Sequence, residues 1–174
     1  GIKNGISPSL KLLEQLKCEK ISCLEAICDL EGKENSSNLD IVAELSDENK
    51  RRIDYLFDND LYELPASERP ECHDDDNTYP SIYGRMYPSI PSSTLSTGFM
   101  SPGRGRYIHP NRRRCLTPHE GARIQGFPDD YCFETVSGEQ IPKTHLARLI
   151  GDAVPTQLAY VVALIGIAAH IKSS

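Results

Sequence analysis

The sequence contains no tryptophan, only two methionines and no long hydrophobic run among its 174 residues. Its longest apolar stretch, Leu158 to Ala169, spans about twelve residues, well short of the ~20 that a membrane-spanning helix needs. No basic and apolar leader typical of a signal peptide is visible, and the chain begins at Gly1 without a methionine. We therefore expect a soluble protein with no membrane partner, cut from something longer.

The six cysteines do not form the pattern of a disulfide framework. Cys18, Cys23 and Cys28 recur every five residues, which is not metal-ligand spacing. Cys72 and His73 precede three aspartates and are the only candidate chelating pair, but no second Cys/His pair lies at a usable distance. We therefore expect no metal, reduced thiols and a cytoplasmic protein, associated with the nucleoid if the host is bacterial.

Charge is distributed unevenly along the chain. Residues 1–80 carry nine Lys/Arg against nineteen Asp/Glu, a net −10, whereas residues 81–174 carry ten against six, a net +4. No acidic residue occurs between Asn77 and His119, while six arginines do: Arg85, Arg104, Arg106, Arg112, Arg113 and Arg114. This asymmetry predicts that the second half faces a polyanion. By charge alone, a solvated basic loop is the alternative.

Hydrophobic spacing predicts helical or mixed structure over 8–31 and helices over 46–59, 118–126 and 155–171. Residues 81–110, including Ser93–Thr97, favour short strands and long loops. Thr117 and Glu120 form a capping box at the start of the third helix. The last helix is apolar on nearly all sides, so it needs burial that this chain has little left to provide. A missing partner is the expected consequence.

Two blocks resemble the closing motifs of the DNA (cytosine-5)-methyltransferases. Residues 114–129 read RCLTPHEGARIQGFPD, which is similar to the family's ninth motif, and residues 150–155 read IGDAVP, which is similar to its tenth. Both occur in the family's order, with some twenty residues between them. Residues 83–110 look like the end of the family's target-recognition region, and the resemblance covers roughly residues 24–168.

The resemblance implies an α+β fold class. It consists of a small target-recognition domain of short strands and loops with a few helices, plus a C-terminal apolar helix that belongs to the catalytic α/β domain. The expected division is 1–30 as the tail of the catalytic domain, 31–149 as the target-recognition domain with motif nine, and 150–174 as the motif-ten turn and helix.

The resemblance also implies roles for individual residues. The expected DNA-binding set is Arg85, Thr94, Leu95, Arg104, Arg106 and Arg112. A threonine hydroxyl at 94 can bond the phosphate of a flipped nucleotide, although a threonine with ordinary strand propensity is the alternative. An arginine can either read guanine or neutralise phosphate, and both options stay open. The expected architectural set of motif nine is Arg114, Thr117, Glu120, Arg123 and Gln125.

By resemblance, the turn Gly151, Asp152, Ala153 and Val154 lines the methionine side of an S-adenosylmethionine pocket. Asp152 stands where the family usually has Asn, so an amide donor is lost there. In this family a cysteine thiolate adds to C6 of a flipped cytosine and activates C5 for methylation. The family's Pro-Cys dipeptide, Glu-Asn-Val block and Gly-rich cofactor loop are absent from this sequence. We therefore expect no catalytic residue in this chain, and a cofactor pocket completed only by a catalytic half.

The predicted function is the DNA-recognising C-terminal portion of a DNA (cytosine-5)-methyltransferase, of the kind found in restriction-modification systems. Its expected partners are double-stranded DNA and a catalytic half on the same or a separate polypeptide. The alternatives are the small subunit of a split enzyme, a stand-alone DNA-binding module, and a pseudoenzyme fragment without DNA affinity. Motif ten favours an enzyme part, because a pure binding module has no use for it.

Overall fold

The computed structural model describes residue 17, residues 19–70 and residues 81–173. The described helices are α1 (Cys23–Ile27), α2 (Asp47–Asp58), α3 (Pro118–Ile124), α4 (Lys143–Asp152) and α5 (Thr156–Ser173), with single 3-10 turns at Cys28–Leu30, Asn38–Asp40, Ala66–Glu68 and Pro102–Arg104. Over these described ranges, extended segments pair only through isolated bridges: Arg85 with Ile108, Ile108 with Cys115, and Glu134 with Gln140. The fold is therefore a set of helices joined by long, irregular connections.

Local sequence explains where the helices begin and end. The Thr117 hydroxyl accepts the backbone N–H of Glu120, and the Glu120 carboxylate accepts the N–H of Thr117, which confirms the predicted capping box. Ser46 likewise accepts the N–H of Asn49 at the start of α2, next to the predicted start of that helix at residue 46. After α3 the chain passes through Gly126 at φ +81°, a conformation that glycine adopts without strain and that ends the helix.

Three local expectations differ from the structure. Within the described part of 8–31 only α1 and the turn after it are helical, and the rest of that prediction lies outside the described residues. The strand predicted at Ser93–Thr97 is wrong, because no neighbouring strand pairs with it. Helix α4 is absent from the predictions. It extends through Gly151 and Asp152, so only the residues after Asp152 form the turn that was predicted for motif ten. Helix α4 also crosses the expected domain boundary between residues 149 and 150.

Helix α3 lies at the centre of the described structure. It packs against α1, against α4 and against the turn at Asn38–Asp40. The first hydrophobic cluster joins these elements and consists of Cys23, Ile27, Met86, Leu95, Phe99, Tyr107, Leu116, Ala122, Ala147 and Ile150. The second forms around α2 and consists of Ile53, Leu56, Leu64, Tyr83, Ile108 and Cys115. Burial of these side chains is the main favourable contribution to folding.

The segment 107–116 lies between the two clusters. Tyr107 and Leu116 contribute to the first cluster, whereas Ile108 and Cys115 contribute to the second. Because successive residues of extended chain point to opposite sides, one short stretch supplies both cores. The isolated bridges at Ile108 hold this stretch in place without forming a sheet.

Helix α5 leaves apolar side chains without cover in the described structure, as expected from a sequence that is apolar on nearly all sides. Its apolar side chains remain exposed: Leu158 by 53%, Tyr160 by 62%, Val162 by 60%, Ile167 by 57% and Ile171 by 68%. By length and composition alone, Lys143–Ile171 is also apolar enough to cross a membrane, although Ala153–Pro155 interrupts its helical structure. The expected absence of a membrane partner therefore stays a prediction, and α5 is a surface that lacks a cover within the described chain.

Candidate functional site

A buried ion pair joins the segment before α3 to α3 itself. The guanidinium of Arg114 donates two hydrogen bonds to the carboxylate of Glu120, both at 2.8 Å. Glu120 is 1% exposed and also accepts the N–H of Thr117 at 2.8 Å. Burial is the largest single effect on Arg114 and opposes its charge, but the hydrogen bonds and negative charges of Glu120 and Glu34 together outweigh burial and raise the pKa of the guanidinium. Arg114, Thr117 and Glu120 thus bond to one another, and the architectural role expected of them stays a prediction.

His109 is fully buried beside this pair. Its Nδ1 accepts the N–H of Asn111 at 3.0 Å, so the proton of the neutral ring is on Nε2, 3.4 Å from a carboxylate oxygen of Glu120. Burial is the main cause that lowers the pKa of His109 to about 4, against the opposing charge of Glu120. The ring is therefore neutral near pH 7, and Arg114 supplies the positive charge that Glu120 requires.

Two other residues of motif nine join α3 to α1 and α4. Arg123 forms a two-bond pair with Asp29 at 2.6 and 2.9 Å and also pairs with Asp129; the hydrogen bonds to Asp29 are the largest cause raising its pKa. The Gln125 amide donates to the carbonyl oxygens of Ile150 at 3.0 Å and Ala153 at 3.4 Å. These oxygens lie at the C-terminal end of α4, where the Ile150 carbonyl also accepts the N–H of Ala153 at 3.3 Å. A side chain of motif nine, Gln125, therefore binds the C-terminal end of α4 in motif ten.

The arginine-rich stretch is not free of acidic neighbours in the folded chain, and this corrects the expectation drawn from charge along the sequence. Within the described residues, acidic side chains from 31–63 pair with five of the six arginines. The pairs are Asp60 with Arg85, Glu63 with Arg106, Glu31 with Arg112, Asp54 and Asp58 with Arg113, and Glu34 with Arg114. Charge segregated in sequence is thus largely neutralised in space.

Arg85 and Arg106, both expected to bind DNA, have several internal contacts. Arg85 donates to the carbonyl of Pro110 at 2.8 Å and stacks over Phe57, 4.1 Å from the ring centre. Arg106 donates to the carbonyl of Tyr62 at 2.7 Å as well as to its acidic partner. Their side chains are only 11% and 13% exposed. The structure thus uses both guanidinium groups to join separate segments of the chain.

The exposed polar surface lies at residues 94–97 and at Arg104. Thr94, Ser96 and Thr97 are exposed, whereas the Leu95 side chain is 4% exposed in the first hydrophobic cluster and acts as the anchor of the segment. Arg104 is exposed and has no acidic partner within the described structure, and its aliphatic carbons pack against Gly98 beside this segment. Of the six residues expected to bind DNA, Thr94 and Arg104 are the two whose polar groups are available on this surface.

Gly151 brings motif ten into contact with this exposed segment. A Cβ placed on Gly151 meets the backbone of Ser96 and Thr97 at 2.5 to 2.6 Å. Its missing side chain therefore permits close backbone approach, as expected of this glycine, but the approaching group is the segment 94–97. Asp152 and Val154 are exposed at the end of α4, and the Asp152 carboxylate lies 3.6 Å from Arg148.

The two buried cysteines, Cys23 and Cys115, lack the character of a nucleophile. Burial is the main cause raising the pKa of Cys23 to about 11 and that of Cys115 to about 12, so both stay protonated thiols at neutral pH. In the ranges that the structure describes, no group of three or more His, Cys, Asp or Glu side chains forms a metal site. The candidate pair Cys72 and His73 lies outside those ranges.

The first prediction concerns the pH dependence of stability, through His109. Because burial lowers its pKa from 6.5 to about 4, the unfolded chain takes up its proton first as pH falls. The stability that depends on a neutral ring is complete above pH ~6.5 and is lost between ~6.5 and ~4, by at most ~3 kcal/mol. His109→Asn keeps an acceptor for Asn111 and removes the titration, so its urea unfolding free energy should fall less over that range.

Equal pH slopes for the two proteins between pH 7 and 4 would contradict this prediction. The carboxyls of Asp29 and Asp129 also contribute to the pH dependence of unfolding free energy, but they do so equally in the two proteins. The hydrogen bonds of Arg123 lower the pKa of both, so the stability they contribute is present above their ordinary pKa and is lost as the pH falls further. Both proteins share that acid loss.

The second prediction concerns Gly151. Gly151→Ala places a methyl group against the backbone of Ser96 and Thr97. Backbone atoms cannot avoid the methyl group by a change of rotamer, so we expect a loss of about 1–3 kcal/mol in unfolding free energy. Gly166→Ala is the matched control, since it lies in α5 and an added Cβ meets nothing within 4 Å. That control should gain up to about 1 kcal/mol from helix propensity. Chemical denaturation measures both, and equal behaviour of the two variants would refute the proposed contact.

Comparison with known proteins supports the family that the sequence resembles. The family model for C-5 cytosine-specific DNA methylases matches residues 9–165. The chain is 46% identical over 140 residues to the type II methyltransferase M1.BsuMI of Bacillus subtilis, covering 80% of this chain and 32% of that protein. It is 33% identical over 135 residues to the type II methylase M.HgiDII of Herpetosiphon aurantiacus, covering 76% of this chain and 38% of that protein.

A eukaryotic protein also matches part of the chain. The chain is 35% identical over 89 residues to the mouse DNA (cytosine-5)-methyltransferase 1, covering 51% of this chain and 5% of that protein. The chain thus spans about a third of the length of the bacterial relatives it matches. The matched family model extends over most of the sequence, and this chain belongs to the C-5 cytosine-specific DNA methylase family.

Proposed function

We propose that this chain is the DNA-recognising C-terminal portion of a cytoplasmic DNA (cytosine-5)-methyltransferase, and that the catalytic cysteine is supplied by another part of the enzyme. The assembled enzyme transfers a methyl group from S-adenosylmethionine to C5 of cytosine within a specific DNA sequence. The observation that carries this proposal is the contact of Gly151 with the backbone of Ser96 and Thr97. In this contact the end of α4, which we assign to the cofactor side, lies against the exposed segment that we assign to DNA.

This contact favours an enzyme part over a stand-alone DNA-binding module. A module that only binds DNA requires the segment 94–97 and Arg104, but it has no need of motif ten or of the apolar helix α5. Here Gln125 caps the end of α4, and the Thr156 hydroxyl donates to the carbonyl of Gly126 at 2.9 Å, so motif nine fixes the start of α5. These bonds hold α5 in a defined direction while its apolar side chains stay exposed.

Helix α5 is the surface that we assign to the catalytic half. Fully burying one of its large apolar side chains is worth roughly 1.5–3 kcal/mol. Covering several of them supplies enough free energy to hold two parts of an enzyme together, whether they are one polypeptide or two. The catalytic half brings the Pro-Cys dipeptide that this sequence lacks.

The end of α4 fits one wall of a cofactor pocket. Asp152 and Val154 are exposed beside Ala153, and these three would contact S-adenosylmethionine, which supplies the methyl group when bound. An aspartate at 152 accepts hydrogen bonds and donates none at neutral pH. Gly151 has its open side filled by Ser96 and Thr97, so we assign it to packing between the two sides of the site.

The third prediction tests this function by reconstitution. The chain alone should transfer no tritiated methyl group from S-adenosylmethionine to DNA. Mixing it with the part of the Bacillus subtilis relative outside the matched region should produce transfer. Val162→Gln with Ile167→Gln should weaken this complementation, because both side chains are more than half exposed on α5. Val136→Gln is the matched control, since Val136 is fully exposed outside α5 and should complement normally.

Two results would count against the proposed function. Transfer by the chain alone would show that it holds its own catalytic centre. Absence of transfer from the mixture, with binding to DNA intact, would favour the stand-alone DNA-binding module.

The fourth prediction concerns Arg104, the exposed arginine beside residues 94–97. Arg104→Ala should weaken binding of the chain to duplex DNA and reduce the salt slope by about one counterion. Arg148→Ala is the control, because Arg148 is also exposed but lies on α4 near Asp152. Binding measured by fluorescence anisotropy over a salt series distinguishes the two variants. Unchanged binding by Arg104→Ala would remove Arg104 from the DNA surface.

A further inference from the structure

The hydroxyl of Tyr107 bridges the backbone of the exposed segment 94–97. It accepts the N–H of Ser96 at 3.0 Å and donates to the carbonyl oxygen of Thr94 at 3.2 Å. These two groups flank Leu95, so one side-chain oxygen fixes the backbone on both sides of the buried anchor. Among the described residues no strand pairs with this segment, so the tyrosine hydroxyl supplies hydrogen bonds that a neighbouring strand would otherwise provide.

Tyr107 is itself held firmly. It is 5% exposed, and its ring occupies the space that a side chain at Gly105 would require, since a Cβ there would meet the ring at 2.7 Å. Its carbonyl accepts the N–H of Leu116 at 3.1 Å, next to the buried pair of Arg114 and Glu120. The hydroxyl is therefore presented from a rigid part of the core.

The segment is held from three directions. Leu95 is buried in the first cluster, Gly151 contacts the backbone of Ser96 and Thr97, and Tyr107 bonds to Thr94 and Ser96. Leu95 and Gly151 fix the position of the segment through packing. Tyr107 fixes the orientation of the peptide groups on both sides of Leu95 through directional hydrogen bonds, whereas the Ser92 hydroxyl bonds the carbonyl of Ser93 before Thr94.

We propose that Tyr107 is a positioning residue for DNA recognition: its hydroxyl sets the backbone from which Thr94 presents its own hydroxyl to the DNA backbone. This inference rests on the proposed function, because it takes Thr94 as a DNA contact. Tyr107 does not touch DNA. It lowers the entropy that the segment loses on binding, since the conformation is already formed in the free protein.

Amide exchange in the free chain tests the bridge itself. Tyr107→Phe removes one oxygen and keeps the ring against Gly105. The amide of Ser96 should then exchange faster by on the order of tenfold, the effect of losing one hydrogen bond. The amide of Ile108, which donates to the carbonyl of Gly84, should be unchanged. Faster exchange throughout the core would overturn the inference, because Tyr107 would then be an ordinary packing residue.

A double-mutant cycle tests the role in DNA binding. Tyr107→Phe and Thr94→Val should each weaken binding to mixed-sequence duplex DNA several-fold, and the combined variant should bind about as weakly as Thr94→Val alone. Tyr131→Phe is the control, since it removes the same atom from a ring that is 49% exposed, and it should bind as the wild type does.

The outcomes separate the two proposals. Wild-type affinity of Tyr107→Phe, or losses that simply add in the combined variant, would overturn the role of Tyr107 and leave the proposed function intact. No DNA binding by the wild-type chain at low salt would overturn the proposed function and the DNA role of Tyr107 together. In that case the exchange at Ser96 would still report whether the bridge exists.

Discussion

The buried pair of Arg114 and Glu120 is the interaction on which the rest of the described structure depends. Two parallel hydrogen bonds join a planar guanidinium to a carboxylate that also caps α3, so one pair fixes a helix start and the segment leading into it. Buried ion pairs add little net stability over a well-packed apolar pair, but leaving one partner unpaired costs about 3–5 kcal/mol. The pair therefore acts mainly by excluding other arrangements of this segment.

From α3 the structure extends in two directions. Arg123 ties α3 to Asp29 after α1, and Gln125 ties it to the end of α4. On the opposite side, the segment after Tyr107 supplies both hydrophobic clusters in alternation. These connections bring Gly151 against residues 96 and 97, although about fifty residues separate them in the chain. In the function we propose, the DNA side and the cofactor side of the enzyme meet at this contact.

The arginine-rich stretch shows how a folded chain can reverse an expectation based on sequence. A run of six arginines without acids indicates an anion-binding surface when it is read linearly. In three dimensions the acidic residues of 31–63 fold over it, and Arg85 and Arg106 connect loops that have no strands to hold them. Arg104 is exposed in the folded chain. The candidate DNA surface is therefore smaller than the arginine-rich stretch alone indicates, and it lies around Arg104 and Thr94.

Features that depend on neighbouring residues can be predicted from the sequence alone. The capping box at Thr117 and Glu120 is such a feature, and the structure confirms it. The cap at Ser46 and the end of α3 before Gly126 also follow from local hydrogen bonds and backbone preference. The apolar surface of α5 and the family motifs can also be recognised in the sequence, because they depend only on composition and residue order. The spacing of Leu146, Ala147 and Ile150, which form the buried face of α4, is a further local feature that indicates a helix.

The contacts between distant groups depend on the folded chain as a whole. Three such contacts join residues far apart in sequence: the acidic partners of five of the six arginines, the contact of Gly151 with residues 96 and 97, and the bridge by Tyr107. Residues 93–97 have the composition of a strand, but a strand requires a partner that no local pattern can supply. Such contacts depend on how the whole chain packs, and so they appear only once the fold is formed.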